Sequence, residues 1–191
     1  AREVWEAKAP PSGERQQDWP LARFGALAPA DAAELHAALA AAKRPLVITT
    51  YLGYQKEAVG KLAALSERFG IGVLEQGPHY LNFPGEHPNH LGYQRNMLVD
   101  EADLILLIDV DVPWLPSKVA PAPGAKVFHI DIDPLKEKLG FWHFPVLRSH
   151  AADSALVLDQ LLALDEQAGA AGRAGRLAWI AEAKQRIAPR L

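Results

Sequence analysis

The chain has 191 residues, 49% hydrophobic and 23% charged, with a formal net charge of -3. That is enough for one α/β domain with a substantial core, and the composition is globular rather than disordered. The slight negative charge sets aside nucleic acid and anionic membranes as partners, and the absence of cysteine excludes disulfides, thiolate nucleophiles and cysteine-bound metals.

Residues 1–28 carry Pro10, Pro11, Ser12, Gly13 and Pro20 among scattered charges and read as an extended connector. The opening residues offer no apolar stretch for a signal peptide, and the missing initiator methionine points to a fragment or a processed chain. A helix is predicted from Asp31, with Glu34 completing a capping box and Leu35, Leu39 and Ala42 as its apolar stripe. Lys43, Arg44 and Pro45 end it.

Leu46 to Thr50 reads as a buried strand. A helix follows from Gln55 to Phe69, with Ala58, Leu62, Leu65 and Phe69 on one face and Gly70 as its stop. Ile71 to Glu75 is a second strand, and a loop rich in Pro, Gly, His and Asn runs from 76 to 90 before a short strand near Leu91. Met97 to Ala102 reads as a helix end leading into a strand from Leu104 to Asp109, too short to cross a bilayer. Further strands are predicted at Lys126 to Asp131 and Pro145 to Leu147, then a helix from Asp153 to Leu164. Residues 165–176 read as a flexible linker, and Leu177, Ile180 and Ile187 begin a helix whose partner is expected elsewhere. Buried strands separated by helical segments predict a doubly wound α/β fold, a mostly parallel sheet of about six strands with helices on both faces, Rossmann-like. Its core is expected over 29–164.

In such sheets ligands bind beyond the carboxyl ends of the strands, where the strand order reverses. That rule selects Thr50 and Gly53 after the first strand, Asp109 after the Leu104 strand and Asp131 at the end of the Lys126 strand as candidate cofactor-binding residues. The first turn is poor in glycine for a phosphate loop, since Tyr51 and Leu52 stand beside Gly53. Asp131 suits a ribose hydroxyl. Asp133, followed by Pro134, reads as the N-cap of a helix. His79, His87 and His90 read as solvated loop residues rather than zinc ligands. No nucleophile elbow and no Walker loop is present, so no catalytic and no metal-binding residue is predicted.

Four segments carry a family resemblance: Ala-Lys-Arg-Pro-Leu-Val-Ile (42–48), Phe-Pro-Gly-Glu-His-Pro-Asn-His-Leu-Gly (83–92), Glu-Ala-Asp-Leu-Ile-Leu-Leu-Ile-Asp (101–109) and Lys-Val-Phe-His-Ile-Asp-Ile-Asp-Pro (126–134). In order and spacing the chain resembles the central domain of thiamine-diphosphate-dependent enzymes, of the acetolactate synthase large-subunit type. The resemblance implies a non-catalytic central domain between pyrimidine- and diphosphate-binding domains of a homo-oligomeric, cytoplasmic parent. That parent would be a 2-oxo acid decarboxylase or carboligase, a lyase or transferase using thiamine diphosphate and magnesium as the cofactor's electron-sink chemistry requires. On the same resemblance, 165–191 leads toward the third domain. Related central domains bind FAD or ADP. Tyr51-Leu52-Gly53 and Asp109-Val110-Asp111-Val112-Pro113-Trp114 depart from the FAD-binding pattern, so no cofactor is expected in this chain itself. The alternatives are a stand-alone nucleotide- or flavin-binding module of the electron-transfer flavoprotein type and a purely architectural domain. A sirtuin-like module would need a cysteine zinc site, which this chain cannot make.

Overall fold

The structure, a computed structural model, describes residues 23–94, 96–137, 139 and 144–187. Short, largely apolar runs form β1 (Pro45–Thr49), β2 (Gly72–Glu75), β3 (Leu104–Ile108) and β4 (Lys126–Asp131), and the polar segment Arg148–Ala151 adds β5. They make one sheet in the order β2-β1-β3-β4-β5, with every pairing parallel. β1, β2 and β3 are buried along their whole length, which is why they read as continuous apolar runs rather than alternating ones.

Four α-helices cover the sheet among the described residues. α1 (Pro29–Ala41), α2 (Lys56–Phe69) and α3 (Ser154–Ala163) pack on the face that presents Val47, Val73, Leu106 and Phe128. α4 (Arg173–Ile187) packs on the opposite face, where Leu46, Ile48, Leu74 and Ile105 point. The alternation along each strand feeds both layers. Leu35 and Leu39 of α1 and Leu62, Leu65 and Phe69 of α2 are completely buried, each stabilising the fold by about 1.5–3 kcal/mol. Gly70 ends α2 in the left-handed region, its φ at 66°, as its position after the apolar stripe predicts. Asp153 caps α3, its carboxylate accepting from the Leu156 amide at 3.0 Å.

Several expectations are corrected. The sheet has five strands, because the segment near Leu91 makes only a single bridge, His90 with Val73. The last strand starts at Arg148, after Pro145, which has no N–H for a ladder. α1 starts at Pro29 with Ala28 as an N-cap that offers no side-chain bond, so the Asp31–Glu34 capping box does not form. Glu34 pairs instead with Arg148 on β5 at 3.1 Å. Met97 to Ala102 is a turn, since Asn96 and Leu98 take positive φ of 70° and 63°. No helix starts at Pro134 either; 132–137 are bends and turns.

The segment predicted as a flexible linker is an anchor. Arg176 is 1% exposed, and its guanidinium donates to the carbonyls of Ala40 at 3.1 Å, Ala42 at 2.9 Å and Ala171 at 2.8 Å, and to that of Gly169. Two of these acceptors lie at the C-terminal end of α1, where unpaired carbonyls and the helix dipole favour a cation. Trp179, Ile180, Ala183 and Ile187 of α4 join the core of the second face, so this helix finds its partner within the sheet. Of the expected connector, 1–22 lie outside the described residues. Leu27 beyond them is buried and exchanges two backbone hydrogen bonds of 3.0 Å with the Gln160 side chain on α3.

Candidate functional site

The chain runs from β1 to β2 on one side and then crosses to β3 on the other, so the order reverses between β1 and β3. That is where an open α/β sheet leaves a crevice at its carboxyl edge. A cavity of about 350 Å³ lies there, lined by Tyr51, Tyr54, Tyr80, Asp109, Asp131 and Lys136 among others. Two of the four residues selected from sequence, Asp109 and Asp131, therefore meet in one cleft.

Thr50 and Gly53 serve the fold instead. The buried Thr50 hydroxyl donates to the Gln76 carbonyl at 2.7 Å. The Thr50 and Tyr51 amides both donate to the Asp109 carbonyl, at 3.2 and 2.9 Å. The Gly53 amide donates to Asn82 Oδ1 at 2.9 Å. Glycine is required here by close approach: a Cβ on Gly53 would lie 2.1 Å from the Leu81 carbonyl oxygen. Asn82 is itself fully buried and donates to Glu75 Oε2 at 2.8 Å. Glu75, 1% exposed at the end of β2, contacts His90 Nε2 at 3.0 Å through its other oxygen. One buried carboxylate thus ties the middle and the far end of the 76–90 loop to the sheet. His90 is buried and His87 nearly so, with His87 bonded to Glu67; only His79 fits the solvated reading.

Charges are chained across the cleft. Lys136 Nζ stands 2.9 Å from Asp131 Oδ2 and 3.0 Å from Asp111 Oδ1. The Tyr51 hydroxyl donates to the other oxygen of Asp111 at 2.9 Å, and its ring lies 5.3 Å from that of His79. Burial alone would raise the Asp131 carboxyl, but the neighbouring His129 ring, the Asp133 amide and Lys136 outweigh it and hold the group below its ordinary value. Lys136 is raised, burial being outweighed by its two acids. Burial, then the bond to Asp111, raises the Tyr51 phenol.

Asp109 is different. It closes β3 with a φ of 47°, a left-handed conformation few non-glycine residues adopt. Its carboxyl accepts from the Ser154 hydroxyl at 2.8 Å. Burial, reinforced by the negative charges of Asp131 and Asp153 and opposed by Ser154 and Lys136, pushes it up to about 7. A carboxyl so placed can both donate and accept a hydrogen bond near neutral pH.

Sequence reasoning passed over Tyr51 as unwelcome bulk and did not select Tyr54, Tyr80 or Lys136. The available signals were the three-residue spacing of Tyr51 and Tyr54 at the turn and the position of Lys136 five residues beyond Asp131. No group of three His, Asp or Glu side chains among the described residues is placed to hold a metal ion, and no helix among them is long and apolar enough to cross a membrane.

Comparison with known proteins adds the family. The model described as "Thiamine pyrophosphate enzyme, central domain" matches residues 32–161. A sulfoacetaldehyde acetyltransferase from Rhodobacter capsulatus is 32% identical over 170 residues, covering 81% of this chain and 28% of that protein. Two solved structures share the fold. One, assigned as a thiamin diphosphate-dependent enzyme from Mycobacterium smegmatis, has a TM-score of 0.61 at 21% identity over 74% of this chain and 28% of its own. The other, a thiamine diphosphate-dependent 4-hydroxybenzoylformate decarboxylase from Rhodococcus jostii RHA1, has a TM-score of 0.61 at 19% identity over 76% of this chain and 29% of its own. The chain thus spans little more than a quarter of the length of each.

Proposed function

The chain belongs to the thiamine pyrophosphate enzyme family as a central domain, and from that premise we propose that it works as the spacer of a larger thiamine-diphosphate-dependent enzyme. The parent is an acetolactate synthase-like 2-oxo acid decarboxylase or carboligase, a lyase or transferase, acting in the cytoplasm as a homo-oligomer. Thiamine diphosphate and magnesium sit in its flanking pyrimidine- and diphosphate-binding domains, to which 1–28 and the end of α4 lead. The acetyltransferase named among the relatives favours the transferase branch.

One observation carries the spacer reading. The polar groups at the sheet's carboxyl edge are spent on one another: Lys136 on two carboxylates, Tyr51 on Asp111, Ser154 on Asp109. Calorimetric titration of the 191-residue chain with thiamine diphosphate and magnesium tests the reading. No binding is expected, and a micromolar affinity, about -8 kcal/mol, would overturn it. A second reading, a nucleotide- or flavin-binding module of the electron-transfer flavoprotein type, draws on the cavity beside Asp131. Stoichiometric flavin absorbance in the purified chain would favour it.

A further inference from the structure

We infer that the cleft beyond the ends of β1, β3 and β4 rejects nucleoside diphosphates and takes a small aromatic cation instead. A diphosphate held at a strand-to-helix turn needs free backbone amides and room for close approach. Here the amides of Thr50 and Tyr51 are taken by the Asp109 carbonyl and that of Gly53 by Asn82. The Asn82 oxygen stands where a phosphate oxygen would accept. It cannot swing away cheaply, because Asn82 is fully buried and its amide nitrogen is held by Glu75. The space is full as well, with the Leu81 carbonyl against Gly53. FAD and ADP therefore do not fit this turn.

The charge of the cavity points the same way. Asp109, Asp131 and Asp133 line it, and the described cation on its wall, Lys136, already lies between Asp131 and Asp111. A diphosphate would meet carboxylates with no free cation among the described lining residues. What the cavity does offer is aromatic surface. Tyr51, Tyr54 and Tyr80 line it, with Tyr54 74% exposed and set edge-on to Tyr80 at 5.9 Å between ring centres. Ring faces attract cations, and the exposed Asp133 carboxylate on the same wall supplies counter-charge. A volume of about 350 Å³ accommodates one aromatic ring with a short amine arm and falls in the usual range of about 300–1,000 Å³ for small-molecule sites.

The test is an NMR titration of the 191-residue chain with three probes: tyramine, 4-ethylphenol, which lacks the amine, and ADP. Tyramine is expected to bind saturably, with shifts at the residues of the cleft. 4-Ethylphenol should bind at least about tenfold more weakly, a difference of about 1.4 kcal/mol, and ADP should not saturate. Asp133 is exposed, so Asp133→Lys leaves the fold intact; it should lower tyramine affinity at least about tenfold at an unchanged melting temperature. Tyramine that fails to saturate, 4-ethylphenol equal to tyramine, ADP as tight as tyramine, or an Asp133→Lys variant that binds as before would each overturn the inference. Any of these would leave the family assignment and the thiamine diphosphate titration untouched.

Discussion

The carboxylate of Asp131 accepts the backbone N–H of Asp133 at 2.8 Å, so the first aspartate of the pair organises the turn that carries the second. Asp131 is 3% exposed and also holds Lys136, whereas Asp133 is exposed. Asp131→Ala takes the acceptor from the part-buried Asp133 amide and a partner from Lys136, and is expected to cost about 1–3 kcal/mol. Asp133→Ala should stay within about 0.5 kcal/mol of the parent. Urea unfolding of both variants measures the difference.

Asp109 predicts a pH dependence. Its carboxyl rises from 3.8 to about 7 on folding, so the folded chain binds the proton more tightly than the unfolded chain. Its stabilising contribution is complete below 3.8 and is lost as pH rises toward and through about 7. The full linkage value for such a displacement, about 4 kcal/mol, is an upper bound because Asp109 keeps some contact with solvent. Melting temperature should fall between mildly acid and neutral pH, and Asp109→Asn should flatten that slope.

Arg176 is expected to be the most costly cation to remove. Arg176→Met strands four carbonyls, at Ala40, Ala42, Gly169 and Ala171. A loss of roughly 3 kcal/mol or more follows if only some find water. Arg176→Lys should recover a minor part, because an ammonium cannot span the planar fork. Chemical denaturation resolves the three proteins.

Glu75→Ala removes the acceptor shared by Asn82 and His90. The expected loss is about 3 kcal/mol, with new proteolytic cleavage between 77 and 92. Glu75→Gln, which can still accept from Asn82, should lose less. Limited proteolysis followed by mass spectrometry reads the position of the cut.

β1 to β4 were legible in the sequence because a parallel sheet buried on both faces leaves unmistakable apolar runs, Leu104–Ile108 above all, whereas the polar, exposed β5 leaves none. What local pattern missed was set by distant partners. Asp133 before Pro134 has the signature of a helix cap, yet Asp131, held by Lys136, captures its amide and the chain turns instead. Gly, Ala and Arg over 165–176 have linker composition. The small residues are there for contact: a Cβ on Gly169 would lie 2.7 Å from the Arg68 carbonyl oxygen. Gly53 was selected for a ligand's approach and proves necessary for the approach of the chain's own loop. Half of the four candidate residues, Asp109 and Asp131, do line the cleft and followed from strand ends alone. The tyrosines did not, since the spacing of Tyr51 and Tyr54 is too short a pattern to mark a site and Tyr80 reaches the cleft from a distant loop.

The two margins of the sheet bear on polymerisation. A bare edge strand is a template onto which another chain can add. At β2 that template is occupied: Val73 donates to Asn89 at 2.9 Å and accepts from Leu91 at 2.7 Å, and Glu75 donates to Gly92 at 3.0 Å. At the other margin β5 is only four residues long and polar, with Arg148 drawn to Glu34 and His150 lying 3.9 Å from Asp31, both on α1. An apolar parallel sheet that would otherwise invite fibre growth is finished on one side by its own loop and on the other by brevity and charge.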